Sequence, residues 1–349
     1  MQRRRVTLLC GAAALLLTLV LSVPARTEPI VLRFSTTLPA AADINKKAIV
    51  PWIREVEARL PGELVIDHFP GGSLGRHTQA YLQMVRDGVV DFAITIPSYF
   101  PGEFPDNDMF QLPLTFNNSM EASLTAWRLV QQHALRGFEG VRVAAIYGTL
   151  PYGFHLNFRY ETLADLEGRK IRTMGLIQAR VARALGATPI GNIIAANLAE
   201  TMDRGLVDGA LFGWDNVRAF GVRYVSSHHV ELPVTLSLAF IAMNPARYAS
   251  LPAHIQAVLD ETMGERLIRQ IVKVTTEAGN EVRRELVASG EHTLVYPDAG
   301  ELAAYRNRLG DLSKFYTERE PENAARYELF QDTLAAVRRE QGSENWYFQ

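Results

Sequence analysis

A Gly-x-Ser-x-Gly sequence at positions 71–75 is the segment of this chain that most resembles a catalytic motif. In α/β-hydrolases such a turn presents a nucleophilic serine between a central strand and a helix, so Ser73 would attack an ester or amide carbonyl. Pro70 directly precedes the turn, whereas a central strand needs every backbone donor. Asp67 and His68 are also too polar for such a strand. We interpret the segment as a glycine turn and keep a secreted serine hydrolase as the enzymatic alternative.

A basic segment, Gly168-Arg169-Lys170-Ile171-Arg172, is the second candidate, and it predicts an anion-binding strand end. Side chains alternate along a strand, so Lys170 and Arg172 share one face. Open α/β sheets bind ligands outside the carboxyl ends of their strands, which is where Arg172 stands. A guanidinium holds a carboxylate through two parallel hydrogen bonds, which a lysine cannot do. The residues alone leave open whether these cations bind an anion or form a solvated strand edge.

The histidines form no pattern that predicts a metal centre. His228 and His229 are adjacent, so they cannot share one face of a helix or strand, and no acidic residue stands at ligand spacing. The sequence contains neither a phosphate-binding loop nor a dinucleotide-binding glycine pattern. We therefore predict no catalytic residue, no metal and no cofactor.

The amino terminus has the three parts of a secretory signal peptide. Arg3–Arg5 form a positive region, an apolar stretch follows, and Val23-Pro24-Ala25 offers small residues to signal peptidase. We predict that residues 1–25 are removed, that Arg26 begins the mature chain and that the protein works in the periplasm. The alternative is a permanent anchor, because an apolar stretch of about 18 residues can just span a bilayer.

Composition narrows the class of partner. The only cysteine, Cys10, lies inside the predicted signal peptide, so the mature chain has no disulfide and no thiol chemistry. Three of the 36 basic residues also lie there, which leaves 33 against 38 acidic residues and a net charge near −5. That balance opposes a nucleic-acid partner, which requires a basic surface. Residues 342–349 resemble the remnant of a protease site from an expression tag and are excluded from the fold prediction.

Short β-type segments alternate with helical ones, which is typical of an α/β architecture. Strands are predicted at 30–35, 64–69, 91–96, 141–147, 153–157, 169–173 and 210–212, and helices at 45–59, 78–87, 121–137, 176–185 and 197–205. From about Pro252 to Ser289, apolar residues recur at helical spacing with no proline. The strict heptads of a coiled coil are absent. We therefore predict a long helix that joins two lobes.

Six segments in this order resemble the substrate-binding proteins of tripartite ATP-independent periplasmic (TRAP) transporters. They are Thr36-Thr37-Leu38-Pro39, Gly71 to Gly75, Gly88 to Asp91, Leu112-Pro113-Leu114, Asp165 to Arg172, and Gly205 to Ala210 with Trp214. The resemblance covers nearly all of the mature chain, although no single segment is decisive.

The resemblance implies a two-lobed α/β fold, that of a class II-like periplasmic binding protein, in which the lobes close about a hinge that includes a long connecting helix. Lobe one would hold 26–150 and 240–278, and lobe two would hold 151–239 and 279–341. Arg172 occupies the position at which the family grips the ligand carboxylate. The implied partners are a small organic acid and the permease subunits of a TRAP transporter, without nucleic acid or enzymatic activity. We expect a monomer, and a sensor subunit for a signalling receptor is a third alternative.

Departures from the family pattern predict an apolar or aromatic ligand body. Sugar-acid binders of the family carry Glu and Asn where this chain has Leu211 and Phe212, a second arginine near Tyr152, and a carboxylate in the loop at 96–99. Apolar walls leave ligand hydroxyls unsatisfied, at about 1–3 kcal/mol each. We predict a monocarboxylate that stacks on Phe212, Trp214 or Tyr99. The predicted binding set is Arg172, Phe212, Trp214, Tyr152, His155, Tyr99, Ser98, Ile96, Thr37 and Leu38.

Overall fold

A computed structural model describes residues 28–75 and 77–341 of the chain. The predicted signal peptide (1–25) and the predicted tag remnant (342–349) lie outside the described residues. The described chain forms two α/β lobes, each built around one mixed β-sheet, and this confirms the predicted fold class. None of the described helices is both long and apolar enough to cross a membrane.

Within the described residues, eleven strands form the two sheets. They are β1 (Ile30–Ser35), β2 (Leu64–Phe69), β3 (Phe92–Thr95), β4 (Arg142–Gly148), β5 (Tyr152–Leu156), β6 (Lys170–Arg172), β7 (Thr188–Ile190), β8 (Gly209–Phe212), β9 (His228–Thr235), β10 (Leu238–Met243) and β11 (Thr293–Val295). The first sheet has the order β2-β1-β3-β10-β4, and the second has the order β11-β9-β5-β8-β6-β7. In β1, buried Leu32 and Phe34 alternate with exposed Val31 and Arg33, because only one face of the strand meets the core.

Thirteen α-helices pack on these sheets in the same part of the chain. They are α1 (Val50–Arg59), α2 (Thr78–Arg86), α3 (Asn107–Phe110), α4 (Ser119–Gln131), α5 (Gly175–Ala184), α6 (Ala195–Asp203), α7 (Trp214–Ala219), α8 (Pro245–Ala249), α9 (Ala253–Thr262), α10 (Glu265–Ser289), α11 (Ala299–Leu309), α12 (Ser313–Thr317) and α13 (Asn323–Gln341). A π-helix, Ile44–Ile49, leads directly into α1. The strand ends at the lobe boundary line a cavity between the two sheets.

The long helix predicted from Pro252 to Ser289 is two helices. Gly264 separates them with a φ of 64°, a left-handed conformation that no helical residue adopts. A Cβ at this position would lie 2.9 Å from the Trp127 ring, so a larger residue does not fit. The second helix, α10, still joins the lobes. Its first half packs in the core of lobe one and its second half, at Val282 and Leu286, packs in lobe two.

Two further chain crossings lie side by side between the lobes. Residues 149–151 connect β4 of the first sheet to β5 of the second, and Leu236-Ser237 connect β9 back to β10. The Thr149 N–H donates to the Ser237 carbonyl at 2.8 Å, and the Ser237 N–H donates to Thr149 Oγ1 at 3.0 Å. These paired crossings and α10 form the hinge of the two-lobed fold.

The C-terminal segment lies on a different lobe from the one predicted. Tyr305 and Leu309 pack in lobe two, but Phe330 and Leu334 of α13 belong to the apolar core of lobe one. Phe330 meets Phe110 edge to face, with ring centroids 5.1 Å apart. The predicted return of 279–341 to lobe two therefore differs from the structure beyond α11. The apolar residues of α13 suit either core, so their pattern does not show which one they join.

Candidate ligand-binding site

Strand ends from both sheets meet at the boundary between the lobes. On lobe one, Leu38 follows β1 and Tyr99 follows β3. On lobe two, Arg172 ends β6, Phe212 ends β8, and Tyr152 begins the antiparallel β5 at the same edge. Open α/β sheets bind ligands at such an edge. The two edges form the opposite walls of one cleft.

Arg172 is fully buried at this boundary, with 0% of its surface exposed. Its Nε donates to the carbonyl of Ile193 at 2.9 Å, and its Nη2 donates to the Tyr99 hydroxyl at 3.1 Å. Its Nη1 has no hydrogen-bond partner within the described residues. The centroid of the Phe212 ring lies 5.7 Å from the guanidinium carbon. One nitrogen of a buried cation is therefore left free.

The positive charge of Arg172 also has no protein counter-ion in residues 28–75 and 77–341, where its only polar partners are a carbonyl and a hydroxyl. A buried charge is costly unless it is paired and hydrogen-bonded. Guanidinium groups bind carboxylates through short, charge-assisted hydrogen bonds. The arrangement is therefore complementary to an anionic ligand.

A cavity of about 70 Å³ lies between the lobes beside this guanidinium. Six members of the predicted binding set line it, and they are Thr37, Leu38, Ile96, Tyr99, Tyr152 and Phe212. Arg172 is not itself a lining residue. It lies behind this wall and contacts two of the residues that form it, Tyr99 and Phe212. The volume is roughly five times the ~10–15 Å³ that one water molecule requires. The cavity therefore suits a small, compact ligand, and its aromatic rings offer stacking surfaces.

The cavity has a polar side that the sequence analysis missed. Asp215, Asn216, Thr149 and Thr275 also line it. Asp215 and Asn216 lie in the first turn of α7, which follows β8 at the same edge as Phe212, and that position is a sequence signal for them that Trp214 shares. The cleft is consequently more polar than the sequence predicts, because these four side chains can hydrogen-bond to a ligand.

Two tyrosine hydroxyls in the cleft stay neutral. Burial raises the pKa of Tyr147 and of Tyr152 above the usual range of a phenol. The pKa of Tyr152 is also lowered by a hydrogen bond with Thr149 and by the charge of Arg172, and raised by the charge of Asp215. Tyr152 therefore lies within the electrostatic influence of both the buried cation and the acidic side of the cleft.

Asp215 has no cationic partner in the described part of the chain, where its Oδ1 accepts a hydrogen bond from the Asn216 side chain at 3.2 Å. Burial raises the pKa of this carboxyl to about 7. Main-chain N–H groups of Asn216 and Asp215 lower that pKa, and the nearby charge of Asp43 raises it. The cavity thus has a carboxyl group without a cationic partner on one wall, and a guanidinium without a counter-ion among the described residues behind another.

Trp214 and His155, both in the predicted binding set, are not among the residues that line this cavity. The first residue of α7 is Trp214, and its ring turns away to meet the His155 ring edge to face, with centroids 4.8 Å apart. It lines a separate groove of about 520 Å³ beside the lobe crossings. There Arg283 is paired with Glu231 at 3.7 Å and Lys273 with Glu277 at 4.0 Å. Because these cations are already paired, the smaller cavity fits an anion better.

His155 belongs to a buried chain of three histidines. Its Nε2 donates to the Phe212 carbonyl at 3.1 Å, since a carbonyl only accepts. The neutral ring then accepts at Nδ1 from Nδ1 of His229 at 2.8 Å, and His229 accepts at Nε2 from Nδ1 of His292 at 3.0 Å. The ring nitrogens of these histidines are thus hydrogen-bonded to one another and to the main chain at the end of β8. Among the described residues, no group of three or more His, Cys, Asp or Glu side chains is arranged to hold a metal.

Ser98 supports the turn that carries Tyr99. Its Oγ accepts from the side chains of Gln111 at 2.7 Å and Asn107 at 3.1 Å, and lies 3.0 Å from the Ser237 hydroxyl. It is not among the cavity-lining residues. Of the predicted set, Ser98 therefore has a positioning role on lobe one, next to the hinge.

The lobes also contact each other beside the cavity. The Tyr99 hydroxyl of lobe one accepts from Arg172 and, at 3.3 Å, from the Ala195 N–H of lobe two. On α7, Arg218 pairs with Asp43, which precedes the π-helix of lobe one. Burial pushes the pKa of Asp43 upward, but hydrogen bonds from Lys47 and Arg218 outweigh it and leave the pKa below its usual value. These bonds hold the two walls of the cleft together.

The Gly-x-Ser-x-Gly segment is an exposed turn. The N–H groups of Gly71 and Gly72 donate to the Leu38 and Thr36 carbonyls, and both glycines have positive φ. Within the described residues, the Ser73 side chain has neither a histidine nor an acidic partner. The segment therefore closes the loop after β2 and carries no catalytic arrangement.

Two lobes, a hinge and a buried cation beside an interlobe cavity define a class of protein, the extracytoplasmic solute-binding proteins. The DctP family model, described as "Bacterial extracellular solute-binding protein, family 7", matches residues 34–319. The chain belongs to this family, and the solved structures it resembles are TRAP solute-binding proteins. It is a receptor and not an enzyme.

Two curated relatives are similar at low identity. The uncharacterized protein YiiZ of Salmonella typhimurium is 27% identical over 165 residues, which cover 45% of this chain and 49% of that protein. The chain therefore spans only about half the length of that relative. The 2,3-diketo-L-gulonate-binding periplasmic protein YiaO of Escherichia coli is 25% identical over 249 residues, with 69% of this chain and 70% of that protein covered.

Solved structures match over almost the whole described chain. A TRAP solute-binding protein from a marine metagenome, specific for aromatic acid ligands and in complex with metahydroxyphenylacetate, has a TM-score of 0.82 at 25% identity. The match covers 88% of this chain and 99% of that one. A TRAP solute-binding protein from Rhodoferax ferrireducens, in complex with copurified benzoate, has a TM-score of 0.83 at 22% identity and covers 90% and 100%.

Proposed function

We propose that this protein is the periplasmic receptor of a TRAP transporter and that it binds a small aromatic monocarboxylate. The observation that carries the proposal is the free Nη1 of fully buried Arg172 beside an interlobe cavity. The ligand carboxylate would accept one hydrogen bond from this nitrogen and another from the Tyr99 hydroxyl, whose proton has no acceptor within the described residues. The loaded receptor would then deliver the acid, as a monomer, to the membrane permease.

The walls of the cavity support an aromatic body. Tyr147, Tyr152, Phe212 and Phe220 line it, and the Tyr152 and Phe212 rings are tilted with centroids 6.3 Å apart. Apolar surface buried at roughly 25 cal/mol per Å², together with one charge-assisted pair, reaches micromolar affinity, about −8 kcal/mol. The metagenome and Rhodoferax proteins, described with aromatic acids, support the same ligand class.

The charges of the cavity support one carboxylate and not two. No Lys, Arg or His is among its lining residues in the described chain, and Asp215 stands on the wall. A second carboxylate on the ligand would therefore meet a like charge instead of a cation. The Phe212 ring on the cavity wall disfavours a sugar acid of the kind named for YiaO, because an apolar side chain cannot hydrogen-bond to the ligand hydroxyls.

The proposal is tested by titration calorimetry on protein refolded from denaturant to remove co-purified ligand. Benzoate, phenylacetate and their hydroxylated forms are expected to bind with micromolar affinity. Succinate, malate and gluconate are expected to bind at least 100-fold more weakly. Tighter binding of a dicarboxylate or a sugar acid than of every aromatic acid in the panel would refute the proposed ligand class.

Tyr99→Phe is expected to weaken binding of the tightest acid in that panel by about 5- to 150-fold. The hydroxyl accepts from Arg172 and from Ala195 on the opposite lobe, and each lost hydrogen bond contributes about 0.5–1.5 kcal/mol. Tyr296→Phe, at a tyrosine that is 65% exposed, is the matched control and should leave the affinity unchanged. Equal affinity of Tyr99→Phe and wild type would remove Tyr99 from the site.

A further inference from the structure

The acidic wall of the cavity is not explained by carboxylate binding. Asp215 is the second residue of α7, and although it lies between the lobes it keeps accessible surface. Because it lines the cavity, that surface faces the ligand space. A receptor for simple anions gains nothing from a carboxyl group in this place, since it repels the ligand.

The protein does not neutralise this carboxyl. Among the described residues no Lys, Arg or His forms an ion pair with Asp215, and its side-chain partner is the neutral amide of Asn216. The charge of Asp215 raises the pKa of Tyr147 on β4 and of Tyr152 on β5, and the charge of Asp43, before the π-helix, raises the pKa of Asp215. The two tyrosines are neutral and Asp43 is an acid. The carboxyl therefore accepts hydrogen bonds only from neutral donors, which are the Asn216 side chain and the main-chain N–H groups of Asp215 and Asn216, and it has no cationic partner among the described residues.

We propose that Asp215 is a specificity-determining residue that selects, among aromatic monocarboxylates, those with a hydroxyl group on the ring or side chain away from the carboxylate. This inference rests on the proposed function and names its ligand class more closely. The ligand carboxylate binds at Arg172, and the ligand O–H donates to the Asp215 carboxylate. Asp215 lines the same cavity as Tyr99 and Phe212, and these two residues contact Arg172, so a ligand in this cavity lies between the carboxylate and the cation.

The physical reason for selection is desolvation. An unsubstituted ring placed against Asp215 removes water from the carboxylate and returns no hydrogen bond. A hydroxylated ring removes the same water but replaces its hydrogen bond. Sites built to hydrogen-bond a ligand hydroxyl strongly reject the analogue that lacks it. We therefore expect a preference of about 10- to 100-fold for the best hydroxylated isomer.

The sign of the pH dependence differs between the two ligands. Donation from a hydroxyl favours the ionised form of Asp215, so binding releases a proton and affinity rises from pH 6 to pH 8, around the carboxyl pKa of about 7. An unsubstituted ring disfavours the ionised form, so its binding takes up a proton and its affinity falls over the same interval. If another group in the site titrated instead of Asp215, the affinities for the hydroxylated and the unsubstituted ligand would change in the same direction.

The test is calorimetric titration of the refolded full chain with benzoate, 3-methylbenzoate and the 2-, 3- and 4-hydroxybenzoates at pH 6, 7 and 8. Wild type should prefer at least one hydroxybenzoate. Asp215→Leu should abolish the preference, because leucine cannot accept, while retaining micromolar binding of 3-methylbenzoate. Asp215→Asn should keep a weaker preference and lose its pH dependence. Asp203→Asn, at an exposed acid on α6, is the control and should match wild type.

The outcomes separate this inference from the function on which it rests. Equal affinities for benzoate and all three hydroxybenzoates in wild type would overturn the role of Asp215 and leave the aromatic-acid receptor in place. An unchanged preference in Asp215→Leu would do the same. Absence of binding by every aromatic acid in the panel would overturn the proposed function and this inference with it.

Discussion

Arg172→Met is expected to reduce the affinity for the aromatic acid by at least 100- to 1,000-fold. Removing one partner of a buried charge pair costs about 3–5 kcal/mol, and each 1.4 kcal/mol is a factor of ten. Methionine fills the space of the aliphatic part of the arginine side chain without a charge, and Tyr99 and Phe212 still line the cavity. The measurement is titration calorimetry with the tightest acid of the panel.

A second readout separates ligand binding from a structural role. Without ligand, Arg172 is a buried cation with no counter-ion in the described chain, so its removal should leave the thermal midpoint unchanged or raise it. Lys170→Met, at an exposed cation on the same strand, is the matched control and should bind as wild type does. Wild-type affinity in Arg172→Met would contradict the proposed anchor. A large loss of ligand-free stability would show that Arg172 holds the fold.

Acid is expected to destabilise lobe two through its buried histidines. Burial lowers the pKa of His155 to about 4 and the pKa of His229 to about 2, from about 6.5 in an unfolded chain. The unfolded state then binds more protons below pH 6.5, so the free energy of unfolding falls as the pH falls. Each histidine should remove roughly 3 kcal/mol between pH 7 and pH 4. Urea denaturation across that interval measures the loss.

His229→Gln tests the origin of this loss. A glutamine amide can donate to His155 Nδ1 and accept from His292, so it preserves the direction of the chain but does not titrate. The decrease in unfolding free energy between pH 7 and pH 4 should therefore be smaller than in wild type by roughly 3 kcal/mol. His254→Gln, at an exposed histidine, should retain the wild-type pH profile. Identical profiles for His229→Gln and wild type would assign the acid sensitivity to other groups.

The local features of the fold follow from sequence pattern alone. Strand alternation and helical spacing predict the α/β architecture, because both periodicities are properties of a short segment and need no knowledge of its neighbours. The end of β6 is one such local feature, and it predicts that Arg172 stands at a ligand-binding edge. The family resemblance adds the expectation that Arg172 binds the ligand carboxylate. In the structure, Arg172 is buried there with one free nitrogen.

Contacts between distant segments were decided only by the tertiary structure. Trp214 and Asp215 are adjacent in sequence, but the first turn of α7 directs the tryptophan to the histidine chain and the aspartate to the cavity. No pattern in the sequence distinguishes them, because the direction of each side chain depends on how α7 packs against α10. The same holds for α13, whose apolar residues fit either core. Sequence therefore determined the α/β architecture and the strand end at which a ligand carboxylate is proposed to bind, while packing across the hinge determined which side chains line the cavity.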